Sequence, residues 1–369
     1  MDVTYMTFSE LRIGQVLAED VKANTRFPII KKNTPLTNEH FQVLKAFNIL
    51  KVPILRNNPF MREEVEEEQK DQSAKDFVES ATMGSRNFLT NYKEAVDAYK
   101  KEFIGWQAGK KVDAAKLRSL ILPLVDHALE EREILPLLNE YSEPKDYLYH
   151  HSVAVGIISG AIADKMKFTK GQVLQMATAG LMADSGMSKI DVKIREKTAF
   201  LTDSEFNEIR KHTIYSYQMV KDIPILKQEM KMAIFQHHER LDGSGYPKGE
   251  KLEQISILSQ IIAVADVFHA MTSERIYRSK ESPYKVIEKI KEEEFGKFNI
   301  QVVSALIDLL TNIPMGTTVR LSNGEIGEVV FTKREEKTRP IVKLAKNNEM
   351  LDLSAKRQLW IERVIGKVQ

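Results

Sequence analysis

The chain has 369 residues, of which 43% are hydrophobic and 29% are charged, a composition typical of globular proteins of two or three domains. It contains no cysteine, which excludes disulfides, zinc–thiolate sites and thiol catalysis. Its net charge is only +2, so an anion-binding site would depend on a local cluster of positive charge. Because it has neither a long apolar run nor a basic-then-apolar leader, we expect a cytoplasmic protein with no membrane span. We also expect no DNA partner.

The first predicted unit, residues 1–60, is a small α/β module. Pro and Asn turn signals in "RFPIIKKNTPLT" separate short apolar strands. Thr37 is placed to cap a helix through "EHFQVLKAFNI", and "KVPILRN" predicts a returning strand.

Residues 61–145 are predicted to be a helical segment. Its first part, "MREEVEEEQKDQSAK" at 61–75, is acidic and lacks an apolar stripe, which is typical of a solvated helix or a linker. From 76 to 145 apolar residues recur at three- and four-residue spacing, as in "LRSLILPLVDHALEEREILPLL". This pattern predicts helices that pack on the chain itself or on a second copy, so a homodimer is one expectation.

The next predicted region, residues 146–312, is helical and holds six of the eight histidines: His150, His151, His212, His237, His238 and His269. Taken singly, each is more often a hydrogen-bonded core residue than a ligand. Imidazole and carboxylate are nevertheless the usual ligands of divalent metals where thiolates are absent. Asp266 interrupts the apolar helix "ISILSQIIAVADVFHAMTS" and shares a face with His269, and a buried carboxylate must be paired or coordinated.

The last predicted unit, residues 315–369, is a small all-β domain. "TTVRLSNGEIGEVVF" alternates between apolar and polar residues, with Asn323-Gly324 as a turn between two strands. The expected fold class is therefore mainly α: an all-helical core between a small α/β module and a small β domain.

Two runs in the helical region, "HHERLDGSGYP" and "VADVFHAMTSERIYR", resemble the HD-GYP family of bacterial cyclic dinucleotide phosphodiesterases. Gly245-Tyr246-Pro247 matches the tripeptide that names the family, and the resemblance covers residues 140–310. It implies an all-helical HD domain with a centre of two or three metals, usually iron or manganese. It also implies hydrolysis of cyclic di-GMP to a linear dinucleotide or GMP, in a signalling role.

The resemblance also implies the site residues. The metal ligands are His151, Asp184, His212, His237, His238 and Asp266. Asp184 is the carboxylate that bridges two metals, and we take it as the catalytic residue of the set. Tyr246, Arg275 and Arg278 fall where the family holds the guanine and phosphates of its ligand. The chemistry is consistent, since two metals activate a water and neutralise a phosphodiester, and forked arginine donors suit phosphate.

Around Asp184 the chain departs from the family motif His-Asp-x-Gly-Lys and reads "ADSGM" at 183–187. Ala183 cannot ligate a metal, and Met187 cannot donate to the substrate phosphate. Tyr147 stands where members with three metals carry Glu, so we do not expect a third metal. Losing a charge-stabilising donor costs roughly 10²–10³ in rate, so hydrolysis is expected to be reduced or lost.

Three hypotheses stay open from the sequence. The first is a phosphodiesterase of reduced activity with one or two divalent ions. The second is a non-catalytic domain that binds a nucleotide or a signalling protein, and the third is a structural domain without metal or ligand. Two alternatives stay open for His269. It either supplies the metal-binding nitrogen that Ala183 lacks or forms a hydrogen bond to a neighbouring helix.

Overall fold

The computed structural model describes residues 3–7, 10–12, 14–22, 29–37, 40–41, 44, 49, 51–55, 83–274, 280–292, 296–311 and 313–367. The chain divides into two compact units, Met1–Ala81 and Thr82–Gln369. The acidic stretch 61–75 lies outside the described residues, and the domain boundaries at 60, 145 and 312 stay predictions. Within the described part of the chain, no helix is both long enough and apolar enough to cross a membrane.

The first unit pairs β1 (Val3–Thr7) with β2 (Lys51–Leu55) in antiparallel register, with Tyr5 opposite Pro53. The predicted returning strand is thus confirmed as β2. The buried core of this unit consists of Leu11, Leu17, Val21, Ile30, Leu36, Leu44, Val52 and Ile54. Most of the helix predicted after Thr37 lies outside the described residues.

The second unit begins with two long helices, α1 (Met83–Gln107) and α2 (Ala114–Glu130). One side of α1 carries five fully buried aromatic residues: Phe88, Tyr92, Tyr99, Phe103 and Trp106. They belong to the same apolar core as the helices that follow. In the described part of this segment, the apolar spacing is therefore accounted for by packing within the chain, and the homodimer stays a prediction.

The remaining helices form the body of the domain around α3. They are α3 (Tyr147–Lys165), α4 (Lys170–Met182), α5 (Val192–Arg195), α6 (Asp203–Arg210), α7 (His212–Val220), α8 (Gln228–Gln236), α9 (Ile257–Thr272), α10 (Pro283–Glu292) and α11 (Ile300–Leu310). Every residue of α3 from His150 to Ala163 is buried, as expected for a helix that is apolar on all sides. Side-chain caps at Thr169, Thr202 and Ser256 fix where α4, α6 and α9 begin.

The chain ends in a five-stranded antiparallel sheet, which confirms the predicted β domain and the mainly α fold class. Its strands are β3 (Thr317–Leu321), β4 (Ile326–Phe331), β5 (Ile341–Leu344), β6 (Met350–Asp352) and β7 (Ile361–Lys367), in the order β6-β5-β4-β3-β7. Gly324, with φ +84°, forms the predicted turn between β3 and β4. The Arg339 guanidinium reaches from the β domain to the Glu288 carboxylate on α10.

Candidate metal centre

The structure brings together all six predicted metal ligands from five segments of the second unit. His151 lies on α3, Asp184 just after α4, His212 at the start of α7, His237 and His238 just after α8, and Asp266 on α9. Their donor atoms form two groups, each with its atoms within 4.8 Å of one another. One group is Asp184 with His212, His237 and His238, and the other is Asp184 with His151 and Asp266.

Asp184 belongs to both groups because its two carboxylate oxygens face different partners. Oδ1 lies 3.2 Å from His212 Nε2 and 3.6 Å from His237 Nε2. Oδ2 lies 3.4 Å from His151 Nε2. A carboxylate placed in this way can bridge two cations, one on each oxygen.

Asp266 forms a second link between the two groups. Its Oδ1 lies 2.9 Å from His151 Nε2, and its Oδ2 lies 3.6 Å from His238 Nδ1. The two carboxylates and four imidazoles therefore form one continuous cluster, and the buried Asp266 has the partners that its burial requires.

The outward ring nitrogens of two histidines are fixed by backbone carbonyls. His212 Nδ1 lies 2.7 Å from Ile209 O, and His237 Nδ1 lies 2.7 Å from Ile234 O. With hydrogen on Nδ1, both Nε2 lone pairs point inward, 3.4 Å apart and toward one Asp184 oxygen. Three electron-rich atoms that face one another need protons or a cation between them, so the donor set fits a divalent metal.

The electrostatics of the cluster favour the ionised state of its carboxylates. Burial acts to raise the pKa of Asp184, but the adjacent imidazoles of His212 and His237 outweigh it and hold the pKa well below its usual value. Burial likewise opposes ionisation of Asp266, yet the hydrogen bond from His151 lowers its pKa. Burial, aided by His237, lowers the pKa of His238 well below its usual value, so this ring is neutral at neutral pH. Ionised carboxylates and neutral imidazoles are the states that bind metal.

The turn that carries Asp184 is held against α7 by Ser216. The Ser216 hydroxyl donates to the carbonyl of Ala183 over 2.6 Å, and the Gly186 amide donates to the same hydroxyl over 2.8 Å. Sequence reasoning missed Ser216. In the sequence, the one indication of its role was its position one helical turn after His212, which places it on the same face of the helix.

We predict that Gly186→Ala disrupts the centre. An added Cβ would lie 2.1 Å from His212 O and 2.5 Å from Ser216 N, and both are backbone atoms of α7. Because neither can move without displacing a ligand, we expect a loss of stability of about 3 kcal/mol or more, at or above the upper end for overpacking. Urea denaturation measures it. Gly171→Ala on α4, where nothing lies within 4 Å of the added Cβ, is the matched control, and an equal stability for both variants would contradict the prediction.

The loop after the double histidine is fixed by Glu239, a second residue that sequence reasoning missed. Its fully buried carboxylate accepts the backbone amides of Lys248 over 2.7 Å and Glu250 over 3.1 Å. In the sequence, Glu239 could have been noticed because its carboxylate lies directly between the double histidine and a glycine-rich loop. Gly245 is required in the same loop, because a Cβ there would lie 2.4 Å from Arg240 N.

Tyr246, predicted to contact substrate, packs directly on the metal ligands. Its ring stacks on that of His238, with centroids 4.6 Å apart and planes at 29°. Its amide donates to His238 O over 3.1 Å. Contact between Tyr246 and a guanine base stays a prediction. Arg275 and Arg278, the other two predicted substrate residues, lie outside the described residues.

His269 lies behind His151. Its Nδ1 is 3.0 Å from His151 Nδ1, whereas the Nε2 of His151 faces the two aspartates. The Tyr147 hydroxyl lies 3.1 Å from the Nδ1 of His151 as well. Because Nδ1 and Nε2 point in different directions from the ring, His269 is placed to orient His151. His269 belongs to neither group of donor atoms, and the alternative in which it supplies the nitrogen that Ala183 lacks stays a prediction.

Ala183 and Met187, which stand where the family motif carries His and Lys, both pack within the helical domain. Ala183 is buried and ends α4. Met187 is half-buried and packs against the main apolar core. The nearby Lys189 donates to Trp106 O over 2.5 Å at the end of α1, so it does not replace the missing lysine.

Comparison with known proteins places residues 136–299 in the HD domain family. The chain is 32% identical over 236 residues to a cyclic di-GMP phosphodiesterase of Pseudomonas aeruginosa, covering 64% of this chain and 57% of that protein. It is 35% identical over 180 residues to a cyclic di-GMP phosphodiesterase of Thermotoga maritima, covering 48% and 49%. It is 29% identical over 194 residues to the 3'3'-cGAMP-specific phosphodiesterase 3 of Vibrio cholerae, covering 52% and 42%. The chain thus spans about half the length of these relatives.

Proposed function

We propose that the chain, whose residues 136–299 match the HD domain family, is a metal-dependent cyclic dinucleotide signalling protein of the HD-GYP type whose phosphodiesterase reaction is slowed. The observation that carries the proposal is the sharing of Asp184 between two groups of donor atoms. The relatives' names support cyclic di-GMP, or a related cyclic dinucleotide, as the ligand.

The proposed cofactor is iron or manganese, bound as one or two ions. Asp184, His212, His237 and His238 would hold one ion with four donors, and His151, Asp184 and Asp266 would hold the other with three. The second set is the weaker because Ala183 contributes no nitrogen. A bound divalent ion would neutralise phosphate oxygens and make water a better nucleophile.

The reaction is hydrolysis of a phosphodiester. A water oxygen forms a bond to phosphorus, the bond from phosphorus to one ribose oxygen breaks, and that oxygen takes a proton. In this chain the Asp184 and Asp266 carboxylates keep the histidines oriented, and Glu239 and Ser216 hold the two loops that carry the ligands. Since Met187 offers no donor to the charge that develops on the phosphate, we expect a rate reduced by roughly 10²–10³.

The alternative function is a non-catalytic effector that binds a cyclic dinucleotide and signals through its flanking units or a protein partner. Ala183 and Met187 favour it, because both lack the chemistry that turnover uses. The two functions share the metal centre and the ligand, and they differ only in whether product accumulates.

The test uses the full chain purified without chelator. We expect one to two equivalents of iron or manganese by elemental analysis, micromolar binding of cyclic di-GMP by calorimetry, and slow formation of linear dinucleotide by chromatography. A parallel incubation with 3'3'-cGAMP separates the two candidate ligands. Binding without product would establish the effector alternative, and a metal-free protein that binds neither nucleotide would refute the proposal.

A further inference from the structure

Arg210, the last residue of α6, carries a guanidinium placed beside the metal centre by two aromatic rings. Its Cζ lies 4.7 Å from the centre of the Phe206 ring and 5.2 Å from that of Tyr246. Tyr246 in turn stacks on the metal ligand His238. The guanidinium is therefore two ring contacts away from a proposed metal ligand.

This arrangement leaves the hydrogen-bond donors of Arg210 available. A guanidinium carries five N–H donors in its plane, and contact with the faces of aromatic rings does not use these donors for a carboxylate or a carbonyl. Among the described residues, Arg210 makes no ion pair with a carboxylate. The adjacent Lys211, in contrast, donates to Glu208 over 2.6 Å. An exposed cation that is held by rings and lacks a carboxylate is suited to an anion supplied from outside.

We propose that Arg210 binds a phosphate of the cyclic dinucleotide at the mouth of the metal centre. This inference rests on the proposed function and adds to it a residue that the family resemblance did not assign. The fork of the guanidinium matches two oxygens of one phosphate, and the two rings restrict its rotamers before the ligand arrives.

The same residue explains how binding and hydrolysis separate in this chain. Arginine keeps its proton at all ordinary pH values, so Arg210 attracts the phosphate but does not give a proton to the leaving oxygen. It supplies positive charge from α6, whereas the family motif supplies it from the position that Met187 occupies here. Ligand affinity is thus retained where the donor for turnover is lost.

The test measures the dissociation constant of cyclic di-GMP for the manganese-loaded full chain by calorimetry, in wild type, Arg210→Gln and Lys211→Gln. The two variants remove one positive charge each from adjacent positions. We expect Arg210→Gln to weaken binding about 10-fold or more, as for a lost charge-assisted hydrogen bond, and Lys211→Gln to change it less than about 2-fold. Arg210→Lys, which keeps the charge and loses the fork, is expected to fall between them.

Three outcomes overturn the inference, and they differ from one another. Equal affinity of Arg210→Gln and Lys211→Gln overturns it while the proposed function stands. Loss of bound manganese in Arg210→Gln, by elemental analysis, also overturns it, because the effect would then pass through the metal centre. If wild type itself binds manganese but no cyclic dinucleotide, the proposed function fails and the inference fails with it.

Discussion

Replacing Asp184 with asparagine is expected to empty both metal sites at once. Asparagine keeps the shape of the side chain but offers one neutral oxygen in place of two anionic ones. Both donor groups include Asp184, so without it one group would keep only its three histidines and the other only His151 and Asp266. Since changes around a ligand already cost about 10–100-fold in metal affinity, we expect the loss of the shared ligand to cost at least about 100-fold at each site.

Asp266→Asn and Asp164→Asn are the matched controls for this prediction. Asp266 belongs to one donor group, so its asparagine variant should lose one ion and keep the other. Asp164 is a partly exposed carboxylate paired with Arg132, and its variant should keep both. Elemental analysis after dialysis gives the count. Equal metal content in Asp184→Asn and Asp164→Asn would show that Asp184 is not a shared ligand.

Thermal denaturation provides a second readout for Asp184→Asn. An ion that binds only the folded chain stabilises it by about 2.7 kcal/mol when its free concentration is 100 times the dissociation constant. Wild type should therefore melt at a higher temperature when manganese is added, and Asp184→Asn should not. A variant with wild-type melting in chelator but no response to manganese would separate the loss of metal from a loss of fold.

The six proposed metal ligands could be named from the sequence because the runs around them resemble the HD-GYP family. "HHERLDGSGYP" fixes two ligands and a loop, and the i, i+3 spacing of Asp266 and His269 predicts one helical face. The β domain could also be predicted, since the alternation of apolar and polar residues and an Asn-Gly turn depend only on neighbouring residues. Local patterns therefore predicted the fold class, and the family resemblance supplied the proposed ligands.

The supporting residues could not be predicted because their roles arise from contacts between distant segments. Ser216 matters because its hydroxyl bridges Ala183 and Gly186, which lie on a different element. Arg210 matters because α6 ends where Tyr246 packs. His269 shares a helical face with Asp266 as predicted, yet its ring meets the back of His151. Spacing predicts which face a side chain occupies, whereas the partner depends on the packing of helices and on rotamers.

Restoring the family motif is expected to produce the largest gain in activity. Met187→Lys alone should raise the rate of cyclic di-GMP hydrolysis by roughly 10², because a donor near the phosphate is worth about that much in the transition state. Met187 is half-buried, so a lysine there can lay its apolar stem along the core and keep its ammonium at the surface of the domain. Adding Ala183→His supplies the absent nitrogen to the three-donor group and should increase the rate further at limiting manganese.

Two control variants separate the chemical effect of the restored residues from an effect on packing. Met187→Leu conserves volume without adding charge and should leave the rate unchanged. The double variant combined with Asp184→Asn should be inactive, since the restored residues act only through an occupied centre. Ala183 ends α4 with its carbonyl fixed by Ser216, so the introduced imidazole would start from a backbone already held in place. If the double variant binds manganese and cyclic di-GMP as tightly as wild type but hydrolyses no faster, the two lost residues do not limit the reaction, and the cause of slow turnover lies elsewhere in the chain.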